Sequence, residues 1–256
     1  MRIDRILENR IFSKKENSYK IFEKKVVDAC YLERKIMMMK FGKREQYQAR
    51  NHYIVFLVSC LEFFLEEIFK LSLDKGVILL KDIKKAKKFN SIKANLEELD
   101  EINKNRIKTS EILAERMNFQ NMEDITLLGD LLEIVKNFKK ISSKKKKSKL
   151  SLLEKKIPIP LKKSATNEKI MTKFILESFG MGRILPKKDK DLIKMVNTVR
   201  KMISLRHKIV HKAERIKIDN WESLAYTMAT KQLAFFINEC YKIKLSKLLK
   251  NNKRTK

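Results

Sequence analysis

Apolar residues recur every three or four positions along most of the chain, which is the spacing of one face of an α-helix. The pattern predicts two long helices in the first third of the sequence, over residues 15–42 and 46–73. The middle of the second, "YIVFLVSCLEFFL", is apolar on nearly every side, so we expect a central helix that is buried all round. Gly76 is expected to end this helix.

Further helical patterns follow the central helix. Three shorter ones cover 91–104, 110–118 and 122–140, with Thr109, Ser110 and Asp124 as candidate N-caps. Three more cover 166–180, 187–213 and 220–249. Asp219 and Glu222 have the spacing of a capping box, which predicts an ordered start for the last helix.

Between these groups, the segment Lys139–Lys163 interrupts the helical pattern. It contains eleven lysines, one acid and the prolines of "IPIP". Like charges and prolines favour a loop, which could either contact phosphates or act as a solvated tether. From Tyr241 onward the chain has seven basic residues and no acid, so we expect a frayed end and a basic tail over 251–256.

Composition supports an all-α fold and points to a polyanionic partner. The 256 residues include only five glycines and three prolines, while 43% are hydrophobic. The net charge is +29, so the positive side chains repel one another in the folded protein. An AT-rich genome would explain lysine in place of arginine but not the shortage of acids. Nucleic acid is therefore the first expected partner, ahead of an anionic membrane surface.

The three cysteines and the longest apolar run exclude other classes. Cys30, Cys60 and Cys240 lie far apart in apolar surroundings, which predicts buried free thiols rather than disulfides. The run 53–65 is too short to span a bilayer and contains Glu62. The N-terminal "MRIDRILENR" is charged throughout, so we expect a cytoplasmic protein without a membrane segment.

The stretch "SLRHKIVHKA" holds two of the three histidines of the chain. His207 and His211 share one helix face, whereas Arg206 starts about 140° from His211. Arg206 and His211 therefore converge only if the helix ends there, the arginine curls round, or a second copy contributes. A histidine that moves a proton and an arginine that binds phosphate could cleave RNA through its 2′-hydroxyl, without a metal or other cofactor.

Two other interpretations of the histidines stay open on spacing alone. Two histidines four residues apart suit a zinc site, although His52 or Cys240 would have to supply a further ligand. Alternatively, the histidines only favour the negative end of the helix dipole.

The segment "RHKIVH" resembles the R-x-x-x-x-H signature of the HEPN superfamily, the nucleotide-binding domains of higher eukaryotes and prokaryotes. The early "FLVSCLEFFLEEIF", with its Leu61–Glu62 pair, is similar to the buried helix of bacterial HEPN proteins of the RiboL-PSP kind. The resemblance covers residues 45–75 and 165–243. It implies a HEPN-like helical bundle over 45–250, with a helical extension over 1–44 and the lysine-rich insertion 139–163.

The resemblance also implies a homodimer with a composite active site and metal-independent endoribonuclease activity, as in toxin–antitoxin or antiviral systems. Arg206 and His211 would be catalytic, His207 would support them, and Glu62 would pair with Arg206 or with a lysine. Some HEPN toxins have a tyrosine two positions after the histidine, where this chain has Ala213, so inhibition by modification of that tyrosine is not expected. The expected RNA contacts are basic side chains: Lys144, Lys145, Lys146, Lys147, Lys208 and Lys212.

Two alternatives to a nuclease follow from the same charge and fold. One is a non-catalytic RNA-binding helical module, in which Arg206 and His211 have no role. The other is an interaction subunit whose basic surface pairs with an acidic partner such as an antitoxin.

Overall fold

The computed structural model describes residues 17–39, 42–83, 95–104, 106–143 and 189–254. Within these ranges the secondary structure is entirely helical, as predicted from the composition. The helices, in chain order, are α1 (Ser18–Met38), α2 (Lys43–Asp74), α3 (Leu80–Ile83), α4 (Leu96–Asn103), α5 (Thr109–Glu115), α6 (Met122–Leu131), α7 (Ile134–Ser143), α8 (Asp189–Lys212) and α9 (Asn220–Arg254). The fold is an all-α bundle.

Helix α2 is the centre of the bundle. It contacts α1, α5, α8 and α9, and its apolar side chains are buried on several sides, including Leu57, Leu61 and Phe64. Gly76 adopts a φ of 65° just past the helix end, a conformation that glycine adopts without steric cost. The predicted central helix and its predicted end are therefore confirmed.

Helix α1 packs into the same core as the rest of the bundle. Phe22, Val26 and Cys30 are buried along one face of α1, and the ring centroid of Phe22 lies 5.2 Å from that of Phe64 on α2. The described part of the predicted N-terminal extension thus shares the core of the domain that it precedes.

Helices α8 and α9 pack against each other and against α2. Helix α8 buries Met195, Val199 and Met202, which recur at helical spacing. The predicted capping box at the start of α9 is confirmed, since the Glu222 amide donates to Asp219 Oδ1 over 2.7 Å and Asp219 donates its own amide to Glu222 Oε2. The short connection 213–219 therefore joins two well-defined helices.

Several predicted boundaries and caps were wrong. The predicted helix 122–140 is two helices, α6 and α7, because Glu133 takes a left-handed conformation with a φ of 57°. Helix α9 continues to Arg254 instead of fraying from Tyr241, and the predicted tail 251–256 is helical as far as this residue. The predicted helix 166–180 lies outside the described residues.

The predicted N-caps also differ, because their side chains have other partners. The Ser110 hydroxyl donates to Asp74 across 2.6 Å, and Asp124 accepts the backbone amide of Asn118. The N-cap of α5 is Lys108, whose amide donates to Glu111. The N-cap of α6 is Asn121, whose side chain accepts the Glu123 amide. Thr109 is the first residue of α5 rather than its cap.

The cysteines are buried free thiols, as predicted. Burial raises the pKa of Cys60 to about 11 and that of Cys240 to about 12. Both thiols are therefore uncharged at neutral pH. Among the described helices, none combines the length and apolar character needed to cross a bilayer.

Candidate active site

The R-x-x-x-x-H segment occupies the last turns of α8. The helix ends at Lys212, one residue after His211, and Ala213 turns the chain with a φ of 50°. The amide of Glu214 then donates to the carbonyl of Lys208 over 3.3 Å, which closes the helix end. Both histidines are exposed at this helix end, whereas Arg206 is half-buried.

Arg206 and His211 meet within a single chain. The Nη1 atom of Arg206 lies 3.4 Å from Nε2 of His211. The arginine side chain thus spans the angular offset of about 140° that separates the two positions on the helix. Of the three ways in which the sequence allowed the pair to converge, the structure shows a curled arginine beside the helix end.

The contact between Arg206 and His211 is long and solvent-exposed, so it is a weak hydrogen bond. A guanidinium has only donors, so in this hydrogen bond Nε2 of His211 is the acceptor. A phosphate oxygen could readily replace Nε2 as the acceptor of the arginine N–H.

His207 lies directly beside His211. Their ring centroids are 4.4 Å apart with an interplanar angle of 46°, and His207 is exposed. The spacing of four residues predicted this shared face. The structure thus brings together His207, Arg206 and His211 at one exposed helix end.

The Nε atom of Arg206 is buried and has no hydrogen-bond partner among the residues that the structure describes. An unsatisfied buried donor costs about 1–3 kcal/mol, so such groups are uncommon outside functional or strained positions. Nε and one Nη nitrogen of an arginine can form a fork that binds two oxygens of a phosphate. Because Nε of Arg206 is buried here, a phosphate would reach this fork only after the side chain moved.

Glu62 does not pair with Arg206, and this expectation was wrong. Its Oε2 atom accepts a hydrogen bond of 2.8 Å from Nε2 of Gln120, in the turn between α5 and α6. Helix α5 packs on α2, which brings this turn to the side of α2 that carries Glu62. The described contacts of Glu62 include neither Arg206 nor a lysine, so its tentative catalytic role has no geometric support.

A buried polar group on α2 anchors the connection that follows His211. Nη1 of Arg50 donates to the carbonyl of Ile218 over 2.8 Å, and Nη2 donates to Oδ1 of Asn220. Nε of Arg50 lies 3.6 Å from the Glu33 carboxylate of α1, and both side chains are buried. These contacts fix the connection 213–219 and the start of α9 to the centre of the bundle.

Asn51, the next residue, holds the same connection. With its side-chain amide oriented to satisfy both its nitrogen and its oxygen, Asn51 donates to the carbonyl of Ile216 over 3.0 Å. The side-chain oxygen of Asn51 accepts the backbone N–H of Ile216 over 3.2 Å. Sequence reasoning missed Arg50 and Asn51 as positioning residues. The available signal was a pair of polar residues beside the apolar run 53–65 of a helix expected to be buried.

The remaining predicted residues are only partly described. Lys208 and Lys212 are exposed on the last turns of α8. Lys144, Lys145, Lys146 and Lys147 lie outside the described residues. In the described ranges, no group of three or more His, Cys, Asp or Glu side chains could hold a metal ion, so neither His52 nor Cys240 joins the two histidines.

The described residues thus define an all-α helical bundle with an arginine–histidine pair at an exposed helix end. Comparisons of the chain with protein-family models, with curated proteins and with solved structures found no match. Membership of the HEPN superfamily therefore stays a prediction that depends on the R-x-x-x-x-H motif and its helical context.

Proposed function

We propose that the protein is a metal-independent endoribonuclease of the HEPN type, acting as a toxin or as an antiviral effector. The observation that carries the proposal is the 3.4 Å contact between Arg206 Nη1 and His211 Nε2 at an exposed helix end. The net charge of +29 adds non-specific affinity for RNA.

In the proposed reaction, Nε2 of His211 takes the proton of a ribose 2′-hydroxyl. The resulting oxygen attacks the adjacent phosphorus, and the bond to the 5′-oxygen of the next nucleotide breaks. Arg206 donates N–H groups to the non-bridging oxygens, where negative charge increases in the transition state. The histidine then returns its proton to the leaving 5′-oxygen, which yields a 2′,3′-cyclic phosphate and a 5′-hydroxyl.

His207 is assigned a supporting role in this reaction. Its ring is 4.4 Å from that of His211, close enough to restrict the orientation of the catalytic imidazole. An exposed imidazole can also donate to the scissile phosphate. His207 therefore orients either the Arg206–His211 pair or the RNA, and it does not accept the proton of the 2′-hydroxyl.

The proposed homodimer brings two such pairs to a shared groove. Because Arg206 and His211 already meet within one chain, a second copy is not required to form the pair itself. The function of the second copy would be to complete the groove that holds RNA. Inhibition by an antitoxin would then occur by direct binding, since this chain has Ala213 at the position where some HEPN toxins have a tyrosine that is modified.

The test incubates the purified protein with total RNA in excess EDTA. Wild type is compared with Arg206→Ala and His211→Ala, and with Arg200→Ala as a control of equal charge change. Arg200 is exposed on the same helix and contacts Asn197 over 3.4 Å. We expect wild type and Arg200→Ala to leave 2′,3′-cyclic ends, and the other two variants to be inactive.

Other outcomes of this test overturn the mechanism. Cleavage that requires a divalent metal, or that persists in both Arg206→Ala and His211→Ala, contradicts it. Binding without any cleavage would favour the non-catalytic RNA-binding module. Copurification of an acidic protein with an inactive chain would favour the interaction subunit.

A further inference from the structure

Helix α8 is rich in cations over the turns that precede and include the Arg206–His211 pair. Between Leu192 and Lys212 the helix contains no acid. Over the same stretch it contains six lysines and arginines: Lys194, Arg200, Lys201, Arg206, Lys208 and Lys212. A stretch of α8 with this composition presents strong positive potential along its exposed side.

Four of these lysines share one face of α8. At 100° per residue, Lys194, Lys201, Lys208 and Lys212 lie within about 40° of one another. All four are exposed. The helical rise of about 1.5 Å per residue places the first and last about 27 Å apart along the axis. We call these four residues the lysine track.

A groove lies beside the upstream part of the lysine track, between α8 and α9. It has a volume of about 480 Å³, and its walls include Lys194 and Lys201. Asn197 and Thr198 of α8 also line the groove and offer polar groups. The groove is lined by the two upstream lysines of the track, Lys194 and Lys201. Lys208 lies one helical turn before His211, so the downstream end of the track adjoins the candidate active site.

One acid faces this groove, and it is already paired. Glu222 of α9 lines the groove, and its Oε1 atom is 2.8 Å from Nζ of Lys201. Lys201 keeps 60% of its side chain exposed in this pair, and Lys194 adds a further positive charge. Glu222 offsets the charge of Lys201, so the net positive charge of the groove lining comes from Lys194.

The aromatic side chain in the groove offers no stacking surface. Tyr226 lines it, but only 2% of this residue is exposed. Single-stranded binding without stacking depends on phosphate contacts, so it varies little with base sequence and strongly with salt. The lysine track therefore suits the backbone of an RNA strand rather than its bases.

We propose that the lysine track binds a single-stranded segment of RNA on one side of the scissile phosphate. This inference rests on the proposed nuclease function, because it assigns the substrate of that same site. At a spacing of about 3.4 Å per stacked nucleotide, the track accommodates at most roughly eight nucleotides. An unpaired strand also leaves the 2′-hydroxyl free to reach the in-line position that its attack requires.

The experiment measures binding of a fluorescently labelled uridine oligomer by anisotropy. The background is His211→Ala, so that the oligomer stays intact. The track variant carries Lys194→Gln and Lys201→Gln together. The control variant carries Lys20→Gln and Lys24→Gln together, at two exposed lysines of α1. Both doubles remove the same charge, and thermal unfolding monitored by circular dichroism confirms that each remains folded.

We expect the track variant to bind on the order of tenfold more weakly than the control. The slope of log affinity against log salt, measured between about 50 and about 200 mM, should decrease by about 1.4, or about 0.7 per lysine. In the catalytically active background, the track variant should raise KM and leave kcat unchanged, because phosphate contacts remote from the reaction bind substrate and transition state equally.

If both double variants bound the oligomer equally weakly, the proposed role of the lysine track would be overturned. Tighter binding of a duplex of the same length would also overturn it. Either result leaves cleavage by Arg206 and His211 untouched. The converse result is also distinguishable. If the wild type cleaves no RNA, but the track variant binds the oligomer more weakly and the control variant does not, the nuclease proposal is rejected and the binding surface is retained.

Discussion

The guanidinium of Arg50 donates to the carbonyl of Ile218 over 2.8 Å, linking residues 168 positions apart in the chain. Arg50 also lies 3.6 Å from Glu33, and both side chains are buried. One buried ion pair thus connects α1, the central helix and the connection that follows His211.

Removing one member of this pair should destabilise the whole bundle. We expect Arg50→Met to lower the free energy of unfolding by about 3–5 kcal/mol, because Glu33 then remains charged and buried. The double variant Arg50→Met with Glu33→Met should recover part of this loss. Urea denaturation of the two single variants and the double variant measures the coupling. A loss below about 1 kcal/mol for Arg50→Met would contradict the prediction that Glu33 stays charged and uncompensated in the core.

The buried thiols predict a loss of stability at alkaline pH. Burial raises the pKa of Cys60 to about 11 and that of Cys240 to about 12, whereas thiols of the unfolded chain ionise near pH 8.5. Above that pH the unfolded state binds fewer protons than the native state, so the free energy of unfolding falls as pH rises. The contribution of these thiols is complete below about pH 8.5 and decreases as pH rises toward 11.

Urea denaturation of wild type and of Cys60→Ala with Cys240→Ala, across this alkaline range, measures the effect. The double variant should show a shallower decrease of unfolding free energy with pH, whatever its stability at neutral pH. Parallel curves for the two proteins would show that other groups cause the whole dependence. Native thiols should also resist a thiol reagent at neutral pH and react once the chain is unfolded.

Periodicity predicted the long helices well because each buries a regular apolar stripe. Leu57, Leu61 and Phe64 recur at helical spacing and are all buried in α2. The sequence also predicted the capping box of Asp219 and Glu222, since both residues lie within one helical turn. Local patterns of this kind need no knowledge of the tertiary structure.

The failures came from contacts between distant parts of the sequence and from local backbone conformation. The apolar pattern continues through Glu133, so it gave no sign of the left-handed residue that separates α6 from α7. The partner of Glu62 proved to be Gln120, 58 positions away. The sequence allowed Arg206 and His211 to meet, but only the path of the arginine side chain shows that one chain suffices.

Asn51 is predicted to position His211 without touching it. Its amide holds both backbone groups of Ile216, five residues after His211, the proposed catalytic histidine. We expect Asn51→Ala to cost about 1–3 kcal/mol of stability, because the two backbone groups lose their partner. In the folded variant, kcat should fall while KM changes little, since the imidazole is misplaced and the lysine track is intact.

Nuclear magnetic resonance of the imidazoles separates this positioning role from a purely structural one. In Asn51→Ala the His211 ring signals should broaden or divide, while those of His52, which lies one residue from the substitution, should stay sharp. Leu79→Ala, a truncation of an exposed side chain after the end of α2, is the control. Unchanged His211 signals and an unchanged kcat in the folded Asn51→Ala variant would contradict the assignment.

Arg206→Lys should abolish most of the activity although it keeps the positive charge. A lysine offers three donors at one point and lacks the planar fork that binds two phosphate oxygens. We expect kcat to fall by about 10²–10³, the effect of removing a donor to a developing oxyanion, while affinity for the uridine oligomer stays within about twofold. Arg200→Lys, the same exchange on the same helix, should leave both quantities unchanged. If Arg206→Lys retained full kcat, Arg206 would act only as a point charge, and the forked recognition of phosphate would be excluded.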